Sequence, residues 1–171
     1  MKGYVHVYTG EGKGKTTATL GLIIRAAGAG MKVFLAQFLK KGDYSELGAL
    51  KRFDDLVTVE QFGIGRFIKG KPSPEDIAEA RRGLERVKEV LASGTYQMVV
   101  LDEGNVALHF HLFSLEELLQ VIDSRPEATE LVITGRNAAP EVMARADLVT
   151  DMQEVKHYYR AGVQARVGIE K

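Results

Sequence analysis

Residues 4–17 constrain this chain more than any other stretch: Tyr4-Val5-His6-Val7-Tyr8-Thr9-Gly10-Glu11-Gly12-Lys13-Gly14-Lys15-Thr16-Thr17. Tyr and Val favour strands, and Val5 and Val7 alternate with Tyr4, His6 and Tyr8, so the run reads as a β-strand. Glycines at positions 10, 12 and 14 then allow backbone N–H groups to converge on an anion with no side chain in the way. Lys15 is placed to reach phosphate oxygens. A helix beginning near Thr16 would aim its N-terminus at the same phosphates and set the Thr16 hydroxyl on a magnesium ion. The stretch is therefore a triphosphate cradle, and its context, strand before and amphipathic helix after, separates it from a chance Gly/Lys turn. The general pattern G-x-x-x-x-G-K-[ST] asks for glycine where this chain has Thr9, so Gly10 and Gly12 are expected to supply the turn.

A second signal lies far along the chain. Tyr96-Gln97-Met98-Val99-Val100-Leu101-Asp102-Glu103 is an apolar strand that ends in two carboxylates. Such an end is the usual partner of a phosphate cradle, because it delivers oxygen ligands to magnesium. The strand Glu130-Leu131-Val132-Ile133-Thr134 runs into Gly135-Arg136 at the same predicted sheet edge. Arg136 is there either to reach a phosphate or to make a structural ion pair.

Between these signals the pattern is α/β. A first helix over about 16–29 presents Leu20, Ile23, Ile24 and Ala27 on one face and stops at Gly28 and Gly30. Residues 31–38 are apolar almost throughout and read as an interior parallel strand, followed by a polar loop from Lys40 that leaves the ligand-bearing strand end. A short helix over 46–53, a strand over 57–62, a long helix from Ser73 or Pro74 to Ala92, short helices over 106–110 and 114–122, a helix from Pro140 and a strand over 146–151 complete the pattern. The loop over 63–74 holds three glycines and two prolines yet carries Ile64, Phe67 and Ile68. It either folds back on the core or offers an apolar surface to a ligand. His109 and His111 lie two apart and share no helix face, which argues against a metal pair. The tail beyond Val155 has no helical stripe and is expected to lie over the ligand edge of the sheet.

Composition excludes several classes. Lys+Arg and Asp+Glu balance at 23 each, so no overall field favours nucleic acid or an anionic membrane. There is no apolar run of membrane-spanning length, and Met1-Lys2-Gly3 leads straight into the first strand without a signal peptide. With no cysteine there is neither a disulfide, a thiolate metal site nor a Cys nucleophile. A cytoplasmic protein is the expected class, and 171 residues suffice for one α/β domain with a real core.

The cradle Thr9-Gly10-Glu11-Gly12-Lys13-Gly14-Lys15-Thr16-Thr17 resembles the T-G-x-G-K-G-K-T-T motif of ATP:corrinoid adenosyltransferases of the CobA/BtuR type. The resemblance continues through Gln37-Phe38-Leu39-Lys40, Val99-Val100-Leu101-Asp102-Glu103, Arg125-Pro126, Ile133-Thr134-Gly135-Arg136 and Val155-Lys156-His157. It ends in Ala161-Gly162-Val163-Gln164-Ala165-Arg166-Val167-Gly168-Ile169, so it spans nearly the whole chain in order. It implies a single domain over residues 1–171 with a P-loop NTPase-like three-layer α/β fold, a mostly parallel sheet with helices on both faces. It implies transfer of the 5′-deoxyadenosyl group of ATP to the Co(I) of a reduced corrinoid (cobalamin, cobinamide or a cobyrinate derivative), with triphosphate leaving. ATP lies reversed in the cradle of such enzymes, its γ-phosphate where the α-phosphate usually sits. By position, Thr9, Gly10, Glu11, Gly12, Lys13, Gly14, Lys15, Thr16 and Thr17, with Arg136, would hold the nucleotide. Thr16, Glu103 and Asp102 would hold Mg2+ (or Mn2+). A homodimer and a flavin-type reductase supplying electrons are the implied partners.

Some relatives carry Phe and Trp in the loop after the third strand, whereas this chain reads Arg66-Phe67-Ile68 and has no tryptophan. Phe67 is the residue expected to displace the lower axial ligand of cobalt, with Lys15 the second residue expected to act directly. Two other readings compete: a kinase or ATPase attacking the γ-phosphate with Glu103 as base, and a module in which ATP only switches conformation. The cradle and the Asp-Glu pair alone do not say which bond of ATP breaks.

Overall fold

The computed structural model describes residues 2–171. Its elements are β1 (Val5–Thr9), α1 (Lys15–Gly28), β2 (Val33–Phe38), α2 (Ser45–Leu50), β3 (Val57–Phe62), α3 (Pro74–Ser93), β4 (Met98–Asp102), α4 (Gly104–His109), α5 (Leu115–Asp123), β5 (Glu130–Thr134), α6 (Pro140–Arg145) and β6 (Leu148–Asp151), with short 3₁₀ turns at Lys51–Phe53 and Tyr158–Ala161. The six strands form one sheet in the order β3-β2-β4-β5-β1-β6, and every pairing is parallel. Parallel neighbours need long crossovers, which the helices provide on both faces.

The two-residue period of the strands sorts the core into two layers. Phe34, Ala36, Phe38, Val99 and Leu101 face α3, α4 and α5, whose Leu84, Val87, Leu108, Leu118 and Val121 fill that side. Val33, Leu35, Met98 and Val100 point the other way, against Ile23, Ala26 and Ala27 of α1 and Leu50 of α2. The stripe that α1 buries is Thr19, Ile23, Ala26 and Ala27. Ile24, expected on that face, is 51% exposed. It lies one residue, about 100°, beyond Ile23, and the sheet covers only a narrow stripe of the helix.

Local chemistry explains the boundaries. The Ser73 hydroxyl accepts from the Asp76 N–H and the Asp76 carboxylate accepts from the Ser73 N–H, with Pro74 at the first helical position, so α3 starts where its donors are satisfied. Ser114 and Glu117 make the same reciprocal cap on α5. Gly83 lets α3 press on the sheet: a Cβ there would meet the Phe62 ring at 2.6 Å and the Phe38 ring at 2.8 Å. Among the described residues no helix is long and apolar enough to cross a membrane.

Candidate functional site

Strand order sets the site. β1, carrying the cradle, and β4, carrying Asp102, are separated by β5, so the carboxyl ends of three strands bring Thr9, Thr134 and Asp102 to one edge. Ligands of open α/β sheets collect at such an edge.

The glycines of the cradle have a use beyond freeing N–H groups. Gly10 has φ 98°, and a Cβ on it would lie 2.3 Å from the Asp151 carboxylate; one on Gly12 would lie 2.6 Å from the Met152 carbonyl oxygen. The turn is thus pressed against the end of β6, and the Gly12 N–H donates to the Met152 carbonyl at 2.7 Å. Gly14 (φ 127°) then lets the chain swing into α1, whose first-turn N–H groups at Lys15, Thr16 and Thr17 face the cradle. Thr9 is buried and its hydroxyl accepts from the Ala138 N–H at 3.3 Å, tying β1 to the loop after β5.

The Lys15 ammonium donates to the carbonyls of Gly10 (2.6 Å) and Gly12 (2.7 Å), which suspends it over the turn with one donor left for a phosphate oxygen. Burial, and then the positive charge of Arg136, lower its pKa. Lys13 is differently engaged. Its ammonium donates to the Tyr158 hydroxyl (3.0 Å), the Ile169 carbonyl (3.1 Å) and the Glu170 carboxylate (2.8 Å), so all three donors go to the tail. The tail therefore does cross the ligand edge: Glu170 also binds Arg166 and Tyr158, and the Lys171 carbonyl accepts from Ser45 at the start of α2. Arg136 pairs with Glu11 at 3.4 Å, both more than half exposed, a weak contact that leaves the guanidinium able to turn to a phosphate.

Asp102 is fully buried. Its Oδ1 accepts from the Thr16 hydroxyl (3.0 Å) and the Thr134 hydroxyl (2.8 Å), and its Oδ2 accepts from the Lys40 ammonium (2.7 Å). Because Thr16 spends its proton on Asp102, its lone pairs are turned outward. Glu103 follows in the left-handed region (φ 61°), its N–H donating to the Thr134 hydroxyl, and its carboxylate has no protein partner among the described residues. Burial, and then the Asp102 charge, raise the Glu103 pKa. The oxygens of Thr16, Asp102 and Glu103 are hard donors, a set that fits Mg2+, with the Lys40 ammonium beside them on Asp102 Oδ2. The Glu103 carboxylate and the Thr16 hydroxyl would leave most of its octahedron to phosphate oxygens and water.

Lys40 and Thr134 are functional-site residues that local pattern does not single out. Lys40 leaves β2 through Leu39 (φ 62°), which turns the chain back to the sheet edge, and it contacts Glu46 at 3.9 Å as well as Asp102. The sequence signals for it are its place in the polar loop after an interior strand and in the stretch Gln37-Phe38-Leu39-Lys40 of the family resemblance.

The loop over 63–68 adjoins this corner. Gly63 is buried with its backbone on that of Leu39 and Lys40, where a Cβ would meet atoms at 2.6–2.9 Å. Arg66 pairs with Asp76 at 3.2 Å, anchoring the loop to the first turn of α3, and Ile68 packs on the core. Phe67 is 90% exposed beside a cleft of about 280 Å³ lined by Arg66, Ile68, Lys69, Lys71 and Asp76. That volume is at the low end of small-molecule pockets and does not enclose a macrocycle; a large flat ligand would lie across the loop rather than inside it. His109 and His111 are both exposed, at the far end of α4.

Over residues 1–170 the chain matches the family described as ATP:corrinoid adenosyltransferase BtuR/CobO/CobP. It is 36% identical to a corrinoid adenosyltransferase of Pseudomonas aeruginosa, covering 99% of this chain and 84% of that one. It is 35% identical to a corrinoid adenosyltransferase of Escherichia coli K12, covering 99% and 86%. Among solved structures, a KaiC-like protein from Pyrococcus horikoshii superposes with a TM-score of 0.60 over 91% of this chain and 75% of that one; at 18% identity it speaks for the fold alone.

Proposed function

The chain belongs to the ATP:corrinoid adenosyltransferase family BtuR/CobO/CobP, and from that premise we infer that it transfers the 5′-deoxyadenosyl group of ATP to the Co(I) of a reduced corrinoid. The cobalt electron pair attacks C5′, the C5′–O5′ bond breaks, and triphosphate leaves with that bond's electrons while cobalt becomes alkylated Co(III). Co(I) is itself a strong nucleophile, so the protein needs no base. It needs C5′ in line with cobalt and neutralisation of the charge growing on the leaving oxygen.

Family membership carries the choice of bond, and the supporting geometry is the combination, on one sheet edge, of a suspended Lys15, a Thr16 hydroxyl held by Asp102 and an unpartnered Glu103. Lys15, the first-turn N–H groups of α1 and Arg136 would hold the triphosphate, with Lys13 joining if it exchanges the tail for a phosphate. Thr16 and Glu103 would hold Mg2+ (or Mn2+), which when bound supplies further neutralisation of the triphosphate. Asp102, with both oxygens engaged, would act through Thr16 by orienting its hydroxyl. Phe67 would supply an apolar face for the corrinoid and displace the lower axial ligand. A homodimer, a flavin-type reductase that delivers Co(I), and a cytoplasmic setting complete the proposal. The exposed Leu148, Val149, Val155, Tyr159 and Val167 are apolar surface that a second copy would cover.

Anaerobic incubation with MgATP labelled with ¹³C at C5′ and chemically reduced cobalamin or cobinamide tests the transfer. A light-sensitive corrinoid carrying the label on cobalt is the expected product. Unalkylated corrinoid with unlabelled cobalt overturns the reading.

A further inference from the structure

Lys40 places a cation where a metal ion would find its most attractive carboxylate. Its ammonium sits 2.7 Å from Asp102 Oδ2, is 14% exposed and lies 3.9 Å from Glu46, which is itself held by the Gln37 side chain at 3.3 Å. The Tyr44 ring stands 5.3 Å from the same ammonium. The backbone that carries this side chain is fixed: Leu39 holds a left-handed turn and donates its N–H to the Phe62 carbonyl at 2.9 Å, while Gly63 packs on the Lys40 backbone.

Charge counting shows the consequence. Without Lys40 the corner would present the Asp102 and Glu103 carboxylates and the Thr16 hydroxyl, a doubly negative set of hard oxygens able to collect a divalent cation unaided. Lys40 offsets one of those two charges, with Glu46 on its other side and Lys15 and Arg136 also acting on Glu103, and its ammonium already occupies Asp102 Oδ2. Affinity for a hard cation follows the charge and number of free oxygens. We propose that Lys40 keeps this corner from taking up a divalent cation before the nucleotide arrives, so that the metal enters with the triphosphate, whose oxygens supply the missing ligands. The inference rests on the reading of Thr16 and Glu103 as the metal-binding pair. Lys40 is on this account a positioning residue, acting through Asp102.

Mn2+ titration of the nucleotide-free full-length chain, followed by the electron paramagnetic resonance of free Mn2+, tests it. Lys40→Met is expected to bind Mn2+ at least about tenfold more tightly than the unsubstituted chain, in line with the effect of changing a metal site's immediate partners. Lys40→Arg keeps the charge and should bind as weakly as the unsubstituted chain. Lys40→Met combined with Asp102→Asn should lose the gain. Equal affinity of Lys40→Met and the unsubstituted chain overturns the proposal, as does a gain that survives Asp102→Asn. If Lys40→Met is unstable alone, its melting temperature should climb with Mn2+ more than that of the unsubstituted chain, and failure to climb counts against the proposal equally. Adenosyl transfer by the unsubstituted chain with MgATP is a separate measurement: its absence sinks the parent reading, whereas unchanged Mn2+ affinity sinks only the role of Lys40.

Discussion

Lys15 and Glu103 are shifted in opposite directions by one cause. Loss of water disfavours both charges, lowering the pKa of the lysine and raising that of the glutamate. For Glu103 the folded value lies above the ordinary 4.5. Between those two values the folded chain binds the extra proton, so folding stability falls as pH rises through that window and levels off above it. Urea denaturation of the nucleotide-free protein should show this fall, and Glu103→Gln should flatten it while losing Mg2+-dependent ATP binding; an unchanged profile would remove Glu103 from the corner. Lys15→Ala should lower turnover by about 10²–10³-fold, the usual effect of deleting one preorganised donor at a developing anion. Phe67→Ala separates two roles. Covering one phenyl ring contributes about 1.5–3 kcal/mol, so the corrinoid kcat/KM should fall by roughly 10–100-fold with ATP affinity unchanged. A parallel fall in both would make Phe67 structural.

Elements carry the next level, and here the legibility of the sequence divides. β3 runs over 57–62 as expected, and Ser73-Pro74 opens α3 through a cap that is written in four adjacent residues. The cradle and the Asp102-Glu103 strand end are legible for the same reason: their chemistry is local. Lys40 and Asp102 are 62 positions apart, Lys13 and Glu170 157 apart, and no period in a sequence encodes such pairings. Ile24 lies outside the buried stripe of α1 because a helical wheel gives the apolar stripe but not its width against the sheet. The tail makes its own prediction. Glu170 is held far below its ordinary 4.5 by Arg166, Lys13 and Tyr158, so its hold on the cradle is complete above that value and is lost as pH falls below it. Glu170→Gln should accordingly expose residues 158–171 to limited proteolysis at neutral pH without lowering the melting temperature of the sheet. Equal resistance to cleavage would mean that other contacts hold the tail.

For the molecule as a whole, an all-parallel sheet with two apolar layers is common to many nucleotide-binding proteins, and the likeness to a KaiC-like chain illustrates how little the fold says about which bond of ATP breaks. Membership of the adenosyltransferase family is what orders the readings. β6 is an edge strand with Leu148 and Val149 exposed, a surface open to a second copy. Val149→Asp should lower the sedimentation coefficient if that edge is the dimer face, and leave it unchanged if the chain pairs elsewhere. The central claim concerns the C5′–O5′ bond, and the phosphate product reports on it directly. ³¹P NMR of an anaerobic reaction with MgATP and a Co(I) corrinoid should show intact triphosphate appearing in step with loss of Co(I). ADP and inorganic phosphate in its place, with the Co(I) spectrum undiminished, would contradict the account and leave phosphoryl transfer as the chemistry of this site.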